Sequence, residues 1–145
     1  MNKEIKLYII SKTNPAPDNI HTWIRSVKDI YDFEELELGD QAPDYTKEMM
    51  EEALRTRKIK VYSSYQIENG VFITPSKMEA KNYSGNKEPF EIEVCVDDIA
   101  WIDGIEGQYT KITDKWIKEY NDKDKWFLLA FFIYVINERI LCFSL

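Results

Sequence analysis

Hydrophobic and polar positions alternate most clearly in "PFEIEVCVDDIAWI". Phe90, Ile92, Val94 and Val96 fall on one side, and Glu91, Glu93, Cys95 and Asp97 on the other. A period of two predicts a half-buried strand. "KIKVYSSY" (58–65) is β-branched and aromatic and predicts another strand. "IENG" then forms a turn, and "VFI" (71–73) a short strand. "IKLYII" (5–10) predicts a first strand, ended by Pro15 and Pro17.

Helical spacing appears in three places. "DYTKEMMEEALRTRK" carries a stripe of Met49, Met50, Ala53 and Leu54. Thr46 is placed to cap it, with acids at its start and bases at its end. "SVKD" at Ser26 predicts a helix from about 27 to 36 that buries Val27, Ile30 and Tyr31. Thr74 as N-cap and Pro75 as first residue predict a third helix reaching Tyr83. It would bury Met78 with Ala80 or Tyr83, and "SGNKEP" would end it. "DGIEGQYTKI" predicts a glycine turn feeding a further short strand.

The tail differs in character. "TDKWIKEYNDKDK" predicts a charged helix. Trp126 to Ile136 is then an apolar run of 11 residues, interrupted by Asn137, Glu138 and Arg139. That is shorter than the roughly 20 residues a spanning helix needs, so a buried hairpin or buried helix is expected. The organisation expected is a core at 1–112, with a helix and apolar segment at 113–145 packed on the same domain. That segment is also the expected route to any oligomer.

With 145 residues, 44% hydrophobic and 14% aromatic, the chain can bury a core and is not a disordered sequence. Its net charge of -7 disfavours direct binding to nucleic acid and favours a basic partner. Two cysteines, Cys95 and Cys142, are too few for a disulfide framework. Without a recognisable secretory signal in "MNKEIKLYII", the expected location is the cytoplasm, with no membrane partner. A lone histidine, His21, argues against a metal site. Glu79-Ala80-Lys81 has the spacing of a metal-nuclease motif, but it falls in a predicted helix where that motif requires a strand.

One constellation carries more specific chemistry. Phe72-Ile73-Thr74-Pro75-Ser76 closes a predicted strand, and Glu106-Gly107-Gln108 lies in a later turn. Together they resemble the aromatic-x-Ser/Thr-x-Ser and Glu/Gln-x-Glu motifs of the ADP-ribosyltransferase superfamily. "HTWIRS", "VYSSYQIENGVFITPSKMEAKNYSG" and "DDIAWIDGIEGQY" further resemble a domain of large phage and prophage proteins of gut bacteria, over residues 5 to 112. The resemblance implies an α+β fold of two small, mostly antiparallel sheets flanked by short helices, with NAD held between the sheets. On that pattern His21 or Arg25 would hold a phosphate or ribose, and Thr74 and Ser76 the nicotinamide ribose. Tyr62, Tyr65 and Tyr83 would stack on rings. Gln108 stands where the family's catalytic glutamate belongs, and an amide cannot supply that charge. Glu106, two residues earlier, is the remaining carboxylate.

Two functions follow as expectations. One is a phage or mobile-element protein, ADP-ribosyltransferase-like, that binds or modifies a host protein with weak or lost catalysis. The other is an acidic, non-enzymatic inhibitor of a host defence system, of the anti-CRISPR type. It would occupy the basic nucleic-acid groove of a nucleoprotein effector, with Glu34, Glu35 and Glu37 as a candidate cluster.

Overall fold

The computed structural model describes residues 2–13, 42–102, 105–123 and 125. The chain divides into two compact units, Met1–Ile112 and Thr113–Leu145. The expected helix at 27–36 and the apolar run from Trp126 lie outside the described residues.

The first segment corrects an expectation. Asn2–Thr13 is a helix, α1, not a strand. Ile5, Ile9 and Ile10 are buried and share one helical face. Each such side chain contributes roughly 2 kcal/mol on burial. The same face takes in Lys6, whose Nζ donates to the Ile99 carbonyl at 2.7 Å. Burial lowers the Lys6 pKa, against the opposing pull of Asp97 and Asp98.

Helix α2 spans Lys47–Thr56, and the Thr46 side chain accepts from Met49 N as its cap. Met50 and Ala53 are buried, whereas Met49 is exposed at the stripe's margin. Arg57, with φ of 60°, ends the helix in the left-handed region. Strand β1 (Lys58–Ser63) follows and pairs antiparallel with β3 (Phe90–Cys95). Ile59, Val61 and Val94 are buried, while Lys60–Glu91 and Lys58–Glu93 ion pairs lie on the exposed side. Phe90, expected inward, is 52% exposed; it pairs with Ser63 at the end of a ribbon only two strands wide.

The expected single strand from 90 onward is broken. Val96–Asp98 forms a 3-10 turn, after which β4 (Ile99–Trp101) enters a second sheet. All three β4 residues are buried. That sheet has the order β2-β5-β4, with β2 at Phe72–Ile73 and β5 at Gly107–Tyr109, all antiparallel. Gly107 is required by close approach: a Cβ there would lie 2.6 Å from Ile99 Cγ2. The molecule is thus a small α+β fold with two antiparallel sheets. Among the described residues one isolated bridge, Tyr62 to Thr74, joins them; Tyr62 N donates to Thr74 O at 2.8 Å, and Thr74 N to Tyr62 O at 3.0 Å.

Helix α3 (Lys77–Tyr83) follows β2, two residues later than expected. Its cap is Ser76, which accepts from Glu79 N at 3.0 Å. Thr74 instead makes a tight turn, its hydroxyl oxygen accepting from Ser76 N at 3.1 Å. Pro75 therefore lies before the cap. Ala80 is the buried residue of α3, and Met78, expected in the core, is 52% exposed. In the second unit, residues 114–123 are helical (α4), opened by Ile117 N donating to Thr113 O at 3.0 Å. Among the described residues no helix is long and apolar enough to cross a membrane.

Candidate functional site

Beside the Tyr62–Thr74 bridge, the chain from Ser63 to Val71 leaves the strands and opens a cavity of about 570 Å³. That volume suits a small ligand or a few residues of a partner. The β1–β2 connection forms one wall and α3, through Glu79, Ala80 and Tyr83, another. Ile105 and Glu106 contribute from the β4–β5 turn, and Thr13 from the end of α1.

Local bonding holds these walls in place. Ser63 Oγ donates to Phe72 O at 2.8 Å and accepts from Tyr65 N at 3.2 Å. The Asn69 amide clamps the segment after β5, donating to Lys111 O at 3.2 Å and accepting from Lys111 N at 2.7 Å. Gly70, with φ of 93°, supplies a turn conformation that side chains resist, and its N–H donates to Tyr109 O at 2.8 Å. On the other side, Ile102 N donates to Glu106 O at 3.0 Å, fixing the backbone of the β4–β5 turn.

Of the nine residues singled out for this chemistry in the sequence, five line this cavity: Tyr62, Tyr65, Thr74, Tyr83 and Glu106. Thr74 is nearly buried; its hydroxyl accepts a turn bond and keeps one proton to donate. The Tyr62 phenol has its pKa raised, first by burial and then by Glu91, so it too remains a donor. Tyr83 and Tyr65 are 70% and 72% exposed and lie at the cavity's edge.

Two residues belong to the framework instead. Ser76 is fully buried, donates to Asp44 Oδ1 and caps α3, so its hydroxyl is committed. Gln108 is 3% exposed and is not among the lining residues; its Nε2 donates to Gly70 O at 3.2 Å, bracing the turn beneath the cavity. Glu106 precedes β5 and belongs to the turn, whereas Gln108 sits within the strand opposite Phe72. His21 and Arg25 lie outside the described residues.

Sequence reasoning missed Asp44, Glu68 and Asn69. Asp44 accepts from both Ser76 Oγ and Met78 N, so a carboxylate from 32 residues away occupies the start of α3. No local pattern announces such a contact. The only signal for Glu68 and Asn69 was their place in a turn before a glycine. Among the described residues, no group of three or more His, Cys, Asp or Glu side chains is arranged to hold a metal ion.

No protein-family model, curated protein or solved structure matches the chain.

Proposed function

We propose that this is an ADP-ribosyltransferase-like protein of phage or mobile-element origin that engages a host protein through the cavity, with weak or no transferase turnover. The observation that carries this reading is the division of roles between neighbouring motif residues. Thr74 and Glu106 border one cavity with Tyr62 and Tyr83, as the resemblance expects of a binding cleft. Gln108, in the place of the catalytic glutamate, is neither a carboxylate nor a lining residue.

Among the described residues, the lining offers rings but no cation for a dinucleotide. Its flat rings suit nicotinamide or adenine, but a pyrophosphate needs cations or free helix N–H groups. Glu68, Glu79 and Glu106 are the charged lining residues among those described. The start of α3 is already occupied by Asp44 and Ser76. Binding a protein therefore agrees with this chemistry better than holding NAD does.

The test has two arms. Incubated with bacterial host extract and labelled NAD, the purified chain is expected to transfer no label. Immobilised, it is expected to retain a host protein that Tyr83→Ala releases and Glu51→Gln, on exposed α2, does not. Robust label transfer, or retention indifferent to Tyr83→Ala, would overturn the proposal.

A further inference from the structure

We propose that Asn69 is a deamidation site that the fold holds closed, so that opening of the Asn69-Gly70 turn is recorded as a permanent chemical change. Asn69-Gly70 is the one asparagine–glycine pair in the sequence. Such a pair is reactive because glycine has no Cβ to hinder attack by its own nitrogen. The Gly70 nitrogen, once deprotonated, bonds to Asn69 Cγ as the Cγ–Nδ2 bond breaks. The side-chain nitrogen takes up a proton and leaves as ammonia, and a succinimide ring remains. Water, the only co-reactant, then opens the ring at either carbonyl to give aspartate or isoaspartate.

Both reacting groups are engaged in the native turn. The Gly70 N–H, which must lose its proton, donates to Tyr109 O at 2.8 Å. The Asn69 carboxamide is held at both its polar atoms by one residue. Its Nδ2 donates to Lys111 O at 3.2 Å, and its Oδ1 accepts from Lys111 N at 2.7 Å. Gln108 Nε2 fixes the turn further by donating to Gly70 O at 3.2 Å, and Tyr109 N by donating to Val71 O at 3.0 Å. All these holds come from residues 108–111. Separating the β1–β2 connection from that segment frees nucleophile and electrophile together, whereas breaking one bond alone leaves the other reacting group held.

Reaction also removes what closed the site. Aspartate at 69 still accepts from Lys111 N, but it has no Nδ2 proton for Lys111 O and sets a carboxylate against that carbonyl. Isoaspartate adds a methylene to the main chain and draws Gly70 away from Tyr109. The change is one-way, and it loosens the wall of the cavity that Asn69 and Gly70 line.

The unaltered full chain is the probe, held at pH 8.5 in buffer and, in parallel, in denaturing guanidinium chloride, then cut with trypsin. Fragment 61–77 carries Asn69 as its one asparagine, so its mass and isoaspartate content read this site alone. Asn69 is expected to convert at least about tenfold faster unfolded than folded, because the native rate is limited by opening. Below the unfolding midpoint its rate should rise with guanidinium in step with hydrogen exchange of the Gly70 amide. Asn69→Asp should exchange that amide faster than the parent and unfold at lower urea. Equal conversion of the folded and unfolded chains overturns the proposal on the unaltered protein, whatever the variant does. So does rapid conversion while the Gly70 amide stays protected, or an Asn69→Asp variant that matches the parent in both measurements.

Discussion

Replacing Gln108 by glutamate asks whether this position in β5 is a working slot for a carboxylate or an interior brace. Gln108 is 3% exposed, and its amide donates to Gly70 O at 3.2 Å. An ionised glutamate has no proton to give and would set acceptor against acceptor where water does not reach. The lost bond and stranded carbonyl account for about 1–3 kcal/mol. With the uncompensated buried charge, the total is about 3–5 kcal/mol. Against a typical stability of roughly 5–15 kcal/mol, the variant should fold but be plainly weakened.

The effect carries a pH signature. A protonated carboxyl can donate to Gly70 O much as the amide does, so folding raises the pKa of the new group. A raised folded-state pKa gives stability that is present at acid pH and lost as pH rises through it. Urea unfolding of both proteins from pH 5.5 to 8.5, with the parent curve subtracted, isolates this group. The deficit should be greatest at pH 8.5 and shrink toward 5.5. In the labelled-NAD assay, Gln108→Glu should gain no transfer. A small, pH-independent deficit below about 1 kcal/mol, or the appearance of NAD-dependent transfer, would refute the structural assignment of Gln108.

Ser76→Ala removes both the α3 cap and the donor to Asp44, and should cost about 2–3 kcal/mol in urea unfolding. Combined with Asp44→Ala, the loss should fall short of the sum by about 1 kcal/mol; strict additivity would contradict the shared network. Asp98 has its carboxyl pKa raised, first by burial and against the attraction of Lys111 and Lys6. Its ionised form is therefore disfavoured by folding, so Asp98→Asn should add a few tenths of a kcal/mol at pH 7. The gain should vanish as pH falls through the carboxylate range, and a loss at pH 7 would mean that the lysine contacts dominate.

What was legible in the sequence follows from how local the cause was. Helix α2 and strand β1 were readable because cap, stripe and strand composition all lie within a dozen residues. Segment 5–10 was not. Ile5, Ile9 and Ile10 fit a helical face, but with half-exposed Leu7 and Tyr8 between them they also fit a short apolar strand. Thr74 and Ser76 were equally good caps by composition. The choice between them was made by tertiary structure: Thr74 is held in the bridge to Tyr62, and Asp44 reaches Ser76 from far along the chain. The strand at 90–101 showed its alternation, yet not the turn at Val96–Asp98 that transfers it between sheets, where Val96 N bonds to Arg57 O at 3.1 Å.

The cavity makes the same point about chemistry. Its framework comes from paired strands: Tyr62 and Thr74 across the bridge, and Gln108 beneath the Gly70 turn. Its charges come from elsewhere, with Glu68 and Glu106 on turns and Glu79 on a seven-residue helix. Side chains on turns have no periodicity that would reveal them, and they change without disturbing a sheet. A motif borne by strands and their immediate turn can therefore resemble an enzyme family while the cavity above it holds different chemistry. Here Gln108 sits in the framework, where its amide bonds Gly70 O, and Glu68, Glu79 and Glu106 are among the cavity's described lining. The chemistry of the cavity is thus set by its turns and by α3 as much as by its strands.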